Sequence, residues 1–87
     1  MTEFRTTCRV HVTSADGIHL RRAAAVSECA RHFTWERHIS RGSLHADAKS
    51  VLDVLCLAAC PGDELLLEAD GPESLHALES ISALIAW

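Results

Sequence analysis

The hydrophobic period of this chain switches between two and 3.6 residues, and that switching restricts it to a small set of folds. Residues 4–12 alternate, with Phe4, Thr6, Cys8, Val10 and Val12 on one face and Arg5, Thr7, Arg9 and His11 on the other. Period two with one polar face predicts a half-buried strand. Thr13-Ser14-Ala15-Asp16-Gly17 is rich in turn formers. Over residues 20–33 the period becomes helical: Val26, Cys29 or Ala30, and Phe33 recur on one side, while Glu28, Arg31 and His32 face water. A second strand is expected over 35–40, with Trp35 and Ile39 flanking Arg37 on one face. A turn at Arg41-Gly42 then leads to a short return strand over 43–46. Ser50 opens a helix over 51–59 that Pro61-Gly62 ends, and Ser50 with Asp53 resembles a capping box. Residues 64–69 form an apolar strand, with Leu65, Leu67 and Ala69 on one face. Pro72 suits the first position of a last helix whose stripe is Leu75, Leu78, Ile81 or Ser82, and Ile85. The order β-α-β-β-α-β-α predicts an α+β fold in two layers, helices covering one face of a largely antiparallel sheet.

Eighty-seven residues make one domain, spanning 1–87, and are enough to fold without disulfides or metal. Eight basic residues against 12 acidic ones, net charge −4, argue against a general nucleic-acid binder. Residues 1–7 lack the apolar run of a secretory signal, and no stretch approaches the roughly 18 apolar residues of a membrane span. A cytoplasmic protein is expected. Cys8, Cys29, Cys56 and Cys60 then read as reduced core thiols. Cys29/His32 and Cys56/Cys60 could each share a helix face. The sequence has no Cys-x-x-Cys and no His-x-x-x-His, so no metal and no cofactor is expected. His11, His32, His38, His45 and His76 fall on polar faces or in loops and read as surface residues.

One stretch, Gly17-Ile18-His19-Leu20-Arg21-Arg22-Ala23-Ala24, breaks a local rule. The amino end of a helix carries unpaired N–H groups and about half a positive charge, so two arginines there cost about 0.3–1 kcal/mol each. An incoming anion would reverse that penalty, because amides and guanidinium groups both attract it.

Gly17-Ile18-His19-Leu20-Arg21 matches the Gly-[Leu/Ile]-His-x-Arg signature, and on it the chain resembles HPr, the histidine-containing phosphocarrier family of the bacterial phosphotransferase system. Lys49-Ser50-Val51-Leu52 is similar to that family's regulatory-serine segment, at the family's distance from the histidine. Pro61-Gly62-Asp63 and Ala69-Asp70-Gly71 resemble the turns around its last strand, and Ala77-Leu78 its last helix. The resemblance implies an open-faced β-sandwich, a four-stranded antiparallel sheet with three helices on one face. It implies that His19 takes a phosphoryl group on ring Nδ1 from phosphorylated enzyme I and passes it to an enzyme IIA, with Arg21 supporting the phosphate. It places Val51, Leu52 and Leu55 in the docking surface and makes the protein a substrate of phosphotransferases rather than an enzyme. Three positions depart from the pattern: Arg22 stands where the family has proline, Asp53 where it often has glycine, and Asp16 where it often has Ser, Thr or Asn.

Imidazole is a good nitrogen nucleophile near neutral pH without strong activation. A nearby helix end and the two arginines should repel a protonated His19 ring, and Asp16, if close, would push the other way. The bland alternative makes His19 a helix cap and Arg21-Arg22 solvated charges. Arg22 is either a second phosphate contact or a charge that faces the partner. Ser50 is explained as an N-cap without any kinase, while its phosphorylation by a serine kinase would add about −1.5 to −2 charges beside an apolar docking patch. Val51, Leu52 and Leu55 are core residues by default, but they spread over more than one helix face, so part of the set could be exposed for docking. The leading expectation is a monomeric phosphocarrier. A regulatory relative controlling a kinase or transcription factor is the first rival, and a small ligand- or metal-binding α+β module the second.

Overall fold

The computed structural model describes residues 5–33 and 36–86. Phe4 and Trp35, assigned above to strand faces, lie outside them. The elements in chain order are β1 (Arg5–His11), α1 (Leu20–Arg31), β2 (Arg37–Arg41), β3 (Leu44–Asp47), α2 (Val51–Cys56), β4 (Glu64–Asp70) and α3 (Ser74–Ile85). The four strands form one antiparallel sheet in the order β1-β4-β2-β3, with Cys8 opposite Leu67 and Ile39 opposite the same residue on the other side. A one-residue slip would turn Leu65, Leu67 and Ala69 outward, so the alternation itself fixes the register. β2 and β3 join through Gly42-Ser43, with Arg41 paired to Leu44 and Gly42 alone at positive φ, 58°. A two-residue loop of that kind matches the twist of the strands it joins.

One face of the sheet and the three helices enclose a single core. Val10, Ile39, Leu65 and Leu67 from the strands meet Ala23, Val26, Val54, Leu57, Leu78, Ile81 and Ile85 from the helices. The other face carries the polar alternates, among them Arg5, Arg9, His11 and Glu64. Arg5 pairs with Asp70 at 2.9 Å and Arg9 with Glu64 at 3.1 Å across β1 and β4. The result is the open-faced arrangement that the strand and helix order predicts. No helix among the described residues is long and apolar enough to cross a membrane.

Several boundaries differ from expectation, each for a local reason. α1 ends at Arg31 rather than at residue 33, because the N–H groups of His32 and Phe33 turn to the carbonyls of Cys29 and Ala30 three residues back. Phe33 leaves the helix and stacks edge-on with His76, centroids 5.7 Å apart, beneath the Arg37 guanidinium. Arg37 is 1 % exposed. Its Nη1 donates to the carbonyls of Glu36 and Asp70, while Nε and Nη2 have no hydrogen-bond partner among the described residues. Burial lowers its pKa, against the pull of Glu73 and Asp70.

α2 stops at Cys56, three residues short of expectation, because Ala58 turns left-handed (φ 52°) and the Ala59 carbonyl is taken by Ile18 N–H at 3.1 Å. Tertiary pairing overrides the helical pattern there. α3 starts at Ser74 and not at Pro72. Pro72 instead follows Gly71 in a turn closed by Ser74 N–H on the Gly71 carbonyl, a position suited to its fixed φ. The apolar stripe also differs from expectation: Ser74, Ala77, Leu78, Ile81 and Ile85 face inward, and Leu75 is 61 % exposed. Cys8 and Cys29 are half-buried, but Cys56 and Cys60 are exposed, which corrects their reading as core thiols. In a helix as short as α2, Val54 takes the inward position and residue 56 falls outside it. Desolvation raises the Cys29 thiol pKa.

Candidate functional site

The loop after β1 is clamped at both ends before it reaches His19. Val12 N–H donates to the Asp63 carbonyl at 2.9 Å, and Gly62 N–H donates to the Val12 carbonyl at 2.8 Å. Farther on, Gly17 N–H donates to Ser14 O and Ile18 N–H to Ala59 O. Gly17 has φ 71°, and a Cβ there would lie 2.4 Å from the Ala59 carbonyl oxygen. No side chain fits, so glycine lets this loop lie flat on the 58–60 segment. Ile18 is buried in the core directly before the histidine.

His19 is the N-cap of α1, with extended backbone (φ −113°, ψ −169°), and its carbonyl accepts from Ala23 N–H at 2.9 Å. Its side chain does not cap the helix, and no acidic residue sits in the first turn. The N-terminal end of α1 therefore keeps its positive field. The ring is 60 % exposed, with Nε2 at 3.7 Å from Oδ2 of Asp16, itself 78 % exposed. His19, Arg21, Arg22 and Asp16 border one open cleft of about 390 Å³, which Leu84 of α3 also lines. The first three residues named by sequence are thus brought together, and Asp16, read above as a departure from pattern and as a charge that would act on the ring if close, joins them.

Arg22 holds a role that neither earlier alternative anticipates. Its Nη1 donates to the carbonyl of Leu84 in the last turn of α3. Carbonyls at a helix end lack intrahelical partners and carry partial negative charge, so a guanidinium suits that place. An arginine in this position ties the start of α1 to the end of α3, which a proline could not do.

Ser50, Val51, Leu52 and Leu55 lie outside the cleft, on α2, which packs beside α1. Ser50 is the N-cap: Asp53 N–H donates to its Oγ at 3.2 Å. The return half of the box is missing, because the Asp53 carboxylate accepts from Asp47 N–H instead. Val51 and Leu55 are half-buried against the core, while Leu52 is 74 % exposed. Leu20, next to His19, is also exposed. Its only sequence signal was the gap it left in the inward stripe of α1. Among the described residues, no three His, Cys, Asp or Glu side chains converge to hold a metal ion.

Comparison with known proteins adds an independent line. The family model described as PTS HPr component phosphorylation site matches residues 6–86. The phosphocarrier protein HPr of Cupriavidus necator is 39% identical over 70 residues, covering 80% of this chain and 79% of that protein. The HPr-like protein Crh of Bacillus subtilis is 30% identical over 77 residues, 88% of this chain and 91% of that one. The crystal structure of HPr from Bacillus anthracis superposes with a TM-score of 0.87 at 26% identity, covering 93% of this chain and 96% of that one. The chain belongs to the HPr family of the phosphotransferase system, whose members carry a phosphoryl group and are not enzymes.

Proposed function

We propose that this protein accepts a phosphoryl group on His19 from phosphorylated enzyme I and passes it to an enzyme IIA in the cytoplasm. The observation that carries this reading is an exposed imidazole at an uncapped helix N-terminus, with Arg21 and Arg22 bordering the same cleft. A ring nitrogen attacks phosphorus with its lone pair. The bond from phosphorus to the donor breaks, and its electron pair leaves with the donor. The transferred group brings its negative charge to the first-turn amides of α1 and to Arg21, groups that repel a cation and attract an anion. Phosphoryl transfer needs mainly positioning and charge stabilisation, and an open cleft leaves the partners to supply the rest. A shallow, exposed site also suits a carrier, which must release what it binds. The exposed Leu52, with Val51 and Leu55 beside it, gives the partners an apolar patch one helix away.

A regulatory role through Ser50 receives less support from the geometry. Its hydroxyl already accepts the capping N–H, and the Asp53 carboxylate lies one turn on, so a phosphate there would meet like charge. Incubation with phosphoenolpyruvate and enzyme I should place acid-labile phosphate on the parent protein and on His76→Ala, and none on His19→Ala. A parent that stays unlabelled with several enzyme I sources overturns the proposal.

A further inference from the structure

Asp16 is the charged group on the cleft that the reading above does not use. We propose that it is a positioning residue for His19: its carboxylate keeps the ring proton on Nε2, frees the Nδ1 lone pair for phosphorus, and stabilises the cationic ring that forms on transfer. The inference rests on His19 being the phosphoryl acceptor.

The two ring nitrogens are not equivalent here. Nε2 faces the Asp16 carboxylate at 3.7 Å, the one ion-pair partner of His19 among the described residues. A carboxylate can only accept, so the nitrogen beside it is the one that gains from holding hydrogen. A neutral imidazole protonated at Nε2 has its lone pair on Nδ1. The 3.7 Å separation is longer than a hydrogen bond, as catalytic contacts often are before the partner arrives.

The charge count favours the same arrangement during the reaction. As Nδ1 forms its bond to phosphorus, the donor's bond breaks and the donor keeps the electron pair. The proton stays on Nε2, and the ring becomes a phosphoimidazolium with its positive charge facing Asp16. When an acceptor attacks phosphorus, the P–Nδ1 bond breaks, Nδ1 recovers its pair, and the ring leaves neutral with the proton still on Nε2. No proton crosses to solvent in either direction. Arg21, Arg22 and the N-terminus of α1 all oppose the ring cation, and Asp16 offsets them from the other side. The neighbouring 58–63 loop brings Cys60 and Asp63, with Asp63 Oδ2 accepting Cys60 N–H. α2 brings Asp53, which accepts Asp47 N–H, and Cys56, which is exposed. α3 brings Leu84 of its last turn, whose carbonyl accepts from Arg22.

Asp16→Asn removes the charge and keeps the shape at an exposed position, and Asp16→Glu restores the charge. Two unit charges at this distance in a wet site interact weakly. The expected effect is therefore about three- to tenfold slower labelling by phosphoenolpyruvate and enzyme I, and slower onward transfer, in Asp16→Asn. Asp16→Glu should recover most of the rate, and salt of about 1 M should narrow the gap between Asn and parent. Hydrolysis of the phosphorylated proteins, which is faster with the ring protonated, should fall at a lower pH in Asp16→Asn than in the parent. Ring 15N spectra of the unphosphorylated proteins need no donor: the parent should be mainly the Nε2–H form, with more Nδ1–H in Asp16→Asn. Equal rates, an unmoved hydrolysis profile and unchanged tautomer ratios would sink the role of Asp16 while leaving His19 as acceptor. A parent unlabelled at His19, with the tautomer shift still present, would instead overturn the acceptor reading.

Discussion

Replacing Gly17 by alanine tests how the site loop is held. Gly17 lies at φ 71°, where an L side chain costs about 1–2 kcal/mol. The new Cβ would come within 2.4 Å of the Ala59 carbonyl oxygen and 3.3 Å of Cys60 Cα, both backbone atoms that a rotamer change cannot clear. The loop must lift, and the bond from Ile18 N–H to Ala59 O goes with it, at about 0.5–1.5 kcal/mol. The lower entropy of an unfolded alanine makes the folded state relatively better by about 0.4–1 kcal/mol. The net expectation is a loss of about 1–3 kcal/mol, read as a lower midpoint in urea at unchanged slope. Gly42→Ala is the internal reference, because Gly42 has φ 58° but nothing within 4 Å of its Cβ position. It isolates the backbone preference from the contact. Labelling of His19 should also slow in Gly17→Ala and not in Gly42→Ala, since only the first moves the start of α1. If Gly17→Ala is no more destabilising than Gly42→Ala and labels at the parental rate, the clamp between the two loops is not what holds His19 in place.

Two further outcomes follow from named contacts. Arg22→Met keeps the aliphatic stem but loses the donor to the Leu84 carbonyl, and should lower stability by about 1 kcal/mol in chemical denaturation while His19 remains labelled. The hydrogen bond from Arg5 holds the Asp70 carboxyl below the usual carboxylate range against desolvation, aided by the charges of Arg5, His38 and Arg37. A depressed carboxylate stabilises the fold fully above its unfolded pKa, and the benefit is lost as pH falls through the folded value. Thermal melts from about pH 5 to 2 should therefore show a smaller acid loss in Asp70→Asn than in the parent.

Period and punctuation made most of the fold legible. The alternation around Val10 and Leu67, the glycine turn at Gly42 and the stripe through Val26 and either Cys29 or Ala30 marked the elements, and the element order followed from them. Each misplacement has its cause. Ala58 is left-handed and Leu57 buried because a distant loop claims the Ala59 carbonyl, and nothing local in 51–59 records that. Leu75 looked like a stripe residue because it is apolar and three residues before Leu78; the inward arc is instead centred on Ser74, Ile81 and Ile85, from which Leu75 lies about 100° round the helix. At the site, the placing of His19 and Arg21 together at a helix start was readable as a violated dipole rule. The partner of Arg22 was not, because the Leu84 carbonyl lies 62 residues away. Asp16 was visible as an unusual residue, but its effect depends on which ring nitrogen it faces, and only the folded loop determines that.

The strand order has a consequence for how and when the site comes into being. β1 makes its sheet bonds to β4 alone, pairing Arg5 with Asp70 at one end and His11 with Glu64 at the other. The β2–β3 hairpin can close locally and early, but β1 must wait for a strand more than fifty residues downstream. The His19 loop waits with it, since it is clamped to Ala59, Gly62 and Asp63 just ahead of that strand. A chain still emerging from the ribosome thus carries the histidine for most of its synthesis without the cleft around it. By this topology the cleft around His19 is expected to assemble late, and on the proposed reading only completed molecules would take a phosphoryl group.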